Sequence, residues 1–319
     1  MAGELAKVVV VGPSYVDLAM RCEHYPGSGQ SVCGTGLSYS ATGPGPNQAV
    51  EAALCGCQVH LISKVGGDPF GEMAKQCLCD FKVNIDFVYT AEVKNTGTVV
   101  TLVNGVGENA ACVYTGANGA LLPVEIDKAE DTIASANVCL IYGYLPHDAV
   151  IAAIRSAQMH GTRVILNPAK PIEQNFDSVV DLPGEYFSDT ILIANLDEAA
   201  DITNHGDANV RTAKLIGSDM VARGALAAVI TMGKRGCMVV DRDGADHIKA
   251  FEIELLDHTG IGDAFAGALA ASCAVGDDIR KAVKFASAAG ALACTKFGSI
   301  EALPGKAEII ELLQKEDMG

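Results

Sequence analysis

The chain has 319 residues, 49% of them hydrophobic and 19% charged, a globular balance that excludes a disordered chain and bounds the molecule to one large domain or two smaller ones. A net charge of −16 without any basic stripe argues against a nucleic-acid partner, although not against a nucleotide, whose phosphates need only local donors and a metal ion. No window reaches the ~20 uninterrupted apolar residues of a spanning helix, and the first apolar run is too short for a signal peptide, so no membrane association and a cytoplasmic location are expected.

Taken in order, Lys7–Gly12 reads as a buried strand of four valines. It ends in Gly12-Pro-Ser-Tyr-Val-Asp17, which puts an acid just past the strand's C-terminal end, where open α/β sheets bind ligands. Exposed strands follow near 14–23 and 31–41. Thr42-Gly-Pro-Gly-Pro-Asn-Gln-Ala49 then opens a helix to about Cys57, its prolines tolerated because first-turn N–H groups are unpaired anyway. Strand 59–65, helix 69–79 and strand 84–90 come next. A hairpin joins 96–103 to 109–115 across Asn104-Gly105. Beyond it the pattern predicts helix 126–136, strand 138–142, helix 147–160, strand 163–167, strand 191–194, helix 197–202, helix 210–223 and strand 227–231. Strands 237–241 and 248–253 and helices 262–273, 279–297 and 306–313 complete the chain.

The repeated βα units imply a doubly wound, mostly parallel central sheet with helices on both faces. Strands drawn from about 14–41 and 96–115 break that rhythm and imply a small second sheet, able to close as a lid on one domain spanning 1–319. Eleven cysteines lack metal or disulfide spacing: Cys55 and Cys57, like Cys77 and Cys79, sit two apart in apparent helices, and the rest lie in apolar runs. His24, His147 and His205 have no ligand spacing and are expected at the surface.

The most informative stretch is Asp257-His-Thr-Gly-Ile-Gly-Asp263-Ala-Phe-Ala-Gly-Ala-Leu269. Gly260 and Gly262 permit a tight turn with free N–H groups, and the run beyond reads as a helix. That makes an anion site by geometry and by dipole. Asp263, in the first turn, is poorly suited to hold phosphate and well suited to take a proton from an attacking hydroxyl, which suggests phosphoryl transfer to an alcohol. A plain tight turn with a dipole-partner Asp fits the same residues.

Other segments carry similar alternatives. Asp17 suits substrate hydroxyls or a turn cap. Gly43, Gly45 and Asn47 suit close ligand approach and a diol, or a simple N-cap. Asn195-Leu-Asp-Glu198 suits a water shell around Mg²⁺ or a capping box. Thr231-Met-Gly233-Lys-Arg-Gly236 suits nucleotide phosphates or a hairpin turn.

Together these residues resemble the ribokinase family, the PfkB carbohydrate kinases, in one order along nearly the whole chain. Gly43-Pro-Gly-Pro-Asn47-Gln-Ala, Val65-Gly-Gly-Asp68-Pro-Phe-Gly71, Asn167-Pro-Ala, Asn195-x-x-Glu198, Thr231-x-Gly233-x-x-Gly236 and Asp257 to Asp263 are each similar to a family segment. The resemblance implies a ribokinase-like fold and an ATP-dependent sugar kinase. Asp263 would be the base, and the N–H groups of Gly260, Ile261 and Gly262 would form the anion hole. Asp17, Gly43, Asn47, Tyr15 and Tyr144 would face the substrate. Asn195, Thr231, Gly233 and Gly236 would contact the nucleotide, with Glu198 acting on Mg²⁺ through water. K⁺ as an activator would be held mostly by backbone at Asp257, Thr259, Ala293, Lys296 and Gly298. A homodimer through the small sheet is also implied.

The chain departs from the family at Ile261, which adds bulk beside the turn, at His258, at Ala302, which has no hydroxyl for the monovalent ion, and at Tyr15 and Tyr144. Those two tyrosines favour a larger or more apolar acceptor, such as a nucleoside. A catalytically idle sugar-binding or regulatory protein is the reading from another class.

Overall fold

The computed structural model describes residues 5–169, 182–206 and 208–318; the remainder of the expected 1–319 domain lies outside the described residues. In chain order the elements are β1 Lys7–Val11, β2 Tyr15–Cys22, β3 Gly34–Thr42, α1 Pro44–Leu54, β4 Gln58–Gly66, α2 Pro69–Asp80, β5 Val88–Ala91, β6 Gly97–Val103 and β7 Asn109–Tyr114. They continue with α3 Pro123–Asp127, α4 Glu130–Ala134, β8 Val138–Tyr142, α5 His147–Met159, β9 Arg163–Asn167, α6 Gly184–Phe187, β10 Thr190–Asn195, α7 Leu196–Thr203 and α8 Val210–Ala222. The last are β11 Ala227–Thr231, β12 Cys237–Asp241, β13 Gly244–Ile248, α9 Ile261–Ala274, α10 Ile279–Ala293 and α11 Lys306–Met318.

The large sheet has nine strands in the order β13-β12-β11-β10-β9-β8-β1-β4-β5, and every pairing is parallel except the two made by β12. Strands buried on both faces need apolar residues at every position, which is why β1, β8 and β11 read as continuous hydrophobic runs. Their side chains alternate between two cores. Val8 and Val10 of β1 join α1, α2, α9, α10 and α11, while Val9 and Val11 join α5, α7 and α8 on the opposite face. The expected doubly wound sheet is therefore present. Strand order reverses between β1 and β8, and in open α/β sheets the crevice at such a switch point receives the ligand.

The small sheet has the order β3-β2-β6-β7 and uses the segments expected for it. Its register places Leu18, Tyr39 and Val100 on one face and Asp17 and Thr101 on the other. Leu37, Tyr39, Val100 and Tyr114, all on the first face, are exposed. The small sheet springs from β1 through Ser14, whose N–H donates to Asn118 Oδ1 and whose carbonyl accepts from Asn118 Nδ2, both at 2.8 Å.

Several local expectations are corrected. The helix expected over 126–136 is split into α3 and α4, because Lys128 and Ala129 end one turn and begin the next. The strand expected over 248–253 is instead β13, Gly244–Ile248, and the chain from Lys249 to Thr259 carries no regular element. Of 84–90, only Val88 to Thr90 lie in a strand, with an isolated bridge between His60 and Asn84. Helix α10 stops at Ala293 and not 297, and Cys57 lies beyond α1. The β6–β7 turn spans five residues. Asn104 Oδ1 accepts from the N–H groups of Val106 and Glu108, and Gly107 takes the positive φ of 85°. His147 and His205 are half-buried, bonded to Tyr186 and Thr203, and not surface residues like His24. All eleven cysteines are free thiols, and no helix among the described residues is long and apolar enough to cross a membrane.

Candidate active site

The site begins with two glycines that let α1 touch the end of β1. A Cβ on Gly12 would fall 2.7 Å from Gly45 Cα, and one on Gly45 would fall 2.6 Å from the Gly12 carbonyl oxygen. Gly43 caps α1 at φ 113°, a conformation that L side chains avoid. Since Gly43 is the cap, Asn47 is not. It lies one turn inside α1, and its Nδ2 donates to Asp263 Oδ2 at 2.7 Å. Gln48 Nε2 donates to the other oxygen, Asp263 Oδ1, at 3.0 Å. Two side chains of α1 thus fix one carboxylate of α9, more than two hundred residues away along the chain. Gly267 allows this, because a Cβ there would meet the Gln48 carbonyl oxygen at 2.6 Å and Glu51 Cβ at 2.7 Å.

Asp263 stands in the first turn of α9. Gly260 takes φ 76°, no side chain caps the helix, and the N–H groups of Gly260, Ile261 and Gly262 have no acceptor among the described residues. A Cβ on Gly262 would meet nothing within 4 Å, so those donors border open space. Ile261 turns away from it: its Cγ2 lies 3.4 Å from the Cβ position of Gly290 on α10. The bulk expected beside the turn is therefore packed against a neighbouring helix. Burial pushes the Asp263 carboxyl above the usual range, and the amides of Asn47 and Gln48 pull it back only partly. A carboxylate raised in this way is a better proton acceptor at neutral pH than a solvated one.

Tyrosines gather at the switch point. Tyr142 ends β8, opposite Gly12, and burial together with the negative charges of Asp263 and Glu198 and the phenols of Tyr15 and Tyr144 strongly disfavours its ionisation. Its hydroxyl therefore stays a donor throughout the neutral range. Tyr15 is buried, Tyr144 is half-buried, and Asp17 follows Tyr15 by two residues on β2, so the pleat turns both to one face. Asp17 Oδ1 accepts from Thr101 Oγ1 at 2.8 Å across the small sheet, so it is not a turn cap.

Asn195 and Thr231 are register partners at the C-terminal ends of β10 and β11. Asn195 caps α7 and exchanges two hydrogen bonds of 2.9 Å with Glu198, a complete capping box. Glu198 Oε1 takes no hydrogen bond from the described residues. Gly233 and Gly236 shape the β11–β12 turn, where Met232 N–H donates to the Gly236 carbonyl at 2.8 Å. Gly236 is required, since a Cβ there would lie 2.0 Å from the Ile248 carbonyl oxygen, whereas Gly233 borders open space.

The candidate monovalent-ion residues surround the turn before α9. Asp257 accepts from Thr259 N–H and Oγ1 and from Gly298 N–H, and its own N–H donates to the Cys294 carbonyl. Burial raises the Asp257 carboxyl, but these donors outweigh it and hold it below its ordinary range. The Lys296 side chain leaves the group to pair with Glu308 at 3.0 Å, and the Ala293 carbonyl accepts from Lys296 N–H at 3.4 Å. Ala302 offers no hydroxyl. Ser299 Oγ, one residue past Gly298, bonds Thr42 Oγ1 at 2.9 Å. The set is rich in carbonyl oxygens, the donor type that suits a hard monovalent cation. No group of three or more His, Cys, Asp or Glu able to hold a metal occurs among the described residues.

Sequence reasoning missed Gln48 and Tyr142. Gln48 was visible only as Asn47's neighbour. Tyr142 was visible as the one polar tip at the end of an apolar strand.

The pfkB family carbohydrate kinase profile matches residues 5–306. The chain is 32% identical over 321 residues to the bifunctional ribokinase/ribose-5-phosphate isomerase A of Fructilactobacillus sanfranciscensis, covering 98% of this chain but 57% of that longer protein. It is 30% identical to the ribokinase of Bacillus subtilis over 97% of this chain and 100% of the relative. The structure of Arabidopsis thaliana ribokinase complexed with ribose and ATP superposes with a TM-score of 0.90 at 22% identity, covering 98% of this chain and 99% of that one. The chain belongs to the pfkB family of carbohydrate kinases, phosphotransferases whose acceptor is an alcohol.

Proposed function

We propose that this protein transfers the γ-phosphoryl group of ATP to a hydroxyl of a small sugar, with Asp263 as the base. The observation that carries the reading is the pairing of Asp263, gripped by Asn47 and Gln48, with three partnerless N–H groups at the start of the same helix. The acceptor hydroxyl gives its proton to Asp263 as its oxygen attacks. The N–H groups of Gly260, Ile261 and Gly262 stabilise charge on the transferring phosphoryl group. Relatives named ribokinase, and a structural neighbour described with ribose and ATP, support this choice of substrates.

Asp17, Gly43, Asn47, Tyr15 and Tyr144 hold the acceptor, and Tyr142 donates between the base and Glu198. Asn195, Thr231, Gly233 and Gly236 line the nucleotide. Glu198, with an oxygen to spare, holds Mg²⁺ through water; when bound, Mg²⁺ neutralises phosphate charge. Asp257, Thr259, Ala293, Lys296 and Gly298 supply backbone oxygens to K⁺. The chain works as one domain whose small sheet closes over the acceptor and excludes water. The exposed apolar face of that sheet packs against a second copy in a homodimer.

A second reading, a nucleoside kinase, is favoured by the convergence of Tyr15, Tyr142 and Tyr144, which offers stacking surface to a base. The test is ADP release across a panel of pentoses, hexoses and nucleosides, with and without K⁺. Turnover of free sugars supports the first reading. Turnover of nucleosides alone replaces it with the second, and ADP release from no acceptor overturns both.

A further inference from the structure

Glu51 is the most anomalous side chain outside the site. It is fully buried in α1, at 0% exposure. Among the described residues its Oε1 accepts only from the Cys55 thiol, at 3.4 Å, and its Oε2 has no partner. It lies one helical turn beyond Asn47. Gly267, against which its Cβ and Cγ pack, lies one turn beyond Asp263. The α1–α9 seam therefore carries two carboxyl contacts in successive turns, one holding the proposed base and one holding Glu51.

We propose that Glu51 is a positioning residue whose neutral form keeps α1 seated on α9 and so keeps Asn47 and Gln48 aligned on Asp263. A buried carboxyl without a donor is tolerated when neutral and costly when charged. The groups around it do not solve this. Cys55, the C-cap of its own helix, donates weakly, Asp263 on α9 is an acid already engaged, and Lys296, the cation whose charge reaches Glu51, is paired with Glu308 of α11. Burial is the main influence and pushes the Glu51 carboxyl up to about 8. The Cys55 bond opposes it, Glu308 adds to it and Lys296 opposes it. Loss of the proton draws the carboxylate toward water or toward Lys296. Because Glu51 fills the space that Gly267 leaves, that movement parts the two helices where the base is held.

The inference depends on Asp263 being the base, and the experiment separates the two. The turnover number is measured from pH 6 to 9.5 with the preferred acceptor for the wild type, Glu51→Gln and Glu51→Met. A single ionisation near 8 lowers the wild-type value about fivefold between pH 8 and 9, with KM little changed. Both variants keep their pH 7 turnover within about twofold and lose that alkaline limb. A limb that persists in either variant, or a wild type flat to pH 9, overturns the proposal. Should neither variant fold, difference infrared spectroscopy of Asp263→Asn reads the Glu51 carboxyl directly, since the other buried carboxyl among the described residues, Glu125, is paired with Lys64 at 2.7 Å. A protonated carboxyl band that titrates near pH 8 is expected, and its absence at pH 7 overturns the assignment. Full activity in Asp263→Asn would instead overturn the base, whatever the alkaline limb does.

Discussion

Two helices begin beside Tyr142, and they end their first turns in opposite ways. Helix α7 is closed: Asn195 and Glu198 satisfy each other's backbone N–H groups, and the cap is complete without any ligand. Helix α9 is open: Gly260 provides no side chain, three N–H groups have no acceptor among the described residues, and its first-turn acid is held from outside by α1. Four orphan N–H groups begin every α-helix, and what satisfies them shows what the terminus is for. A self-satisfied end is structural first. An unsatisfied end beside open space, with an acid fixed from a distant helix, is a place where stability has been left unclaimed in favour of a ligand.

The sharpest way to break this contrast is at Asp263. Asp263→Asn is expected to lower kcat by about 10²–10⁴ with KM within a few-fold, because the proton acceptor is lost and the shape is kept. Asn47 can turn its partnerless Oδ1 toward the new amide. The same variant tests the pH sign. Burial raises the folded-state pKa of Asp263 above its unfolded value, so its contribution to stability is complete below the unfolded value and fades as pH rises through the folded one. Asp263→Asn should therefore melt above the wild type at pH 8 and show little such gain near pH 4. Wild-type kcat should fall as the pH drops through the raised pKa. Unchanged kcat in the variant would sink the base.

A smaller effect is expected at Gly262. A methyl group there meets no atom, and alanine favours a helix over glycine by up to ~1 kcal/mol. Gly262→Ala should thus be as stable as the wild type or more so, yet lose about tenfold in kcat/KM as the methyl enters the anion space. Equal activity would mean that the open donors face no ligand. The mildest change is Asn195→Ala at the closed end. Losing that cap should cost about 1 kcal/mol in urea unfolding. Because Asn195 is also proposed to line the nucleotide, kcat/KM for ATP should fall several-fold in the same variant; an unchanged kcat/KM would leave Asn195 a cap alone and remove it from the nucleotide site.

Much of this was legible in the chain itself. Gly260-Ile-Gly-Asp263 fixes an uncapped turn with an acid after it, because glycine conformations and helix ends are local matters. Val8 to Val11 likewise announces a strand buried on both faces. Short or irregular segments were less legible. Lys249 to Thr259 alternates like a strand but has no neighbour to pair with once β13 ends at Ile248. Residues 126–136 have helical composition but break where α3 and α4 turn separately onto α5.

The sequence by itself determined the strand order of burial, the open turn and the acid beside it, since each follows from a few consecutive residues. Only the tertiary structure decided that Asn47 and Gln48 hold that acid, that Tyr142 lies within reach of its charge and of Glu198's, and that Glu51 is sealed one turn below. Those contacts join segments far apart along the chain. They exist because the sheet reverses between β1 and β8 and because Gly45 and Gly267 let backbones approach more closely than any side chain allows.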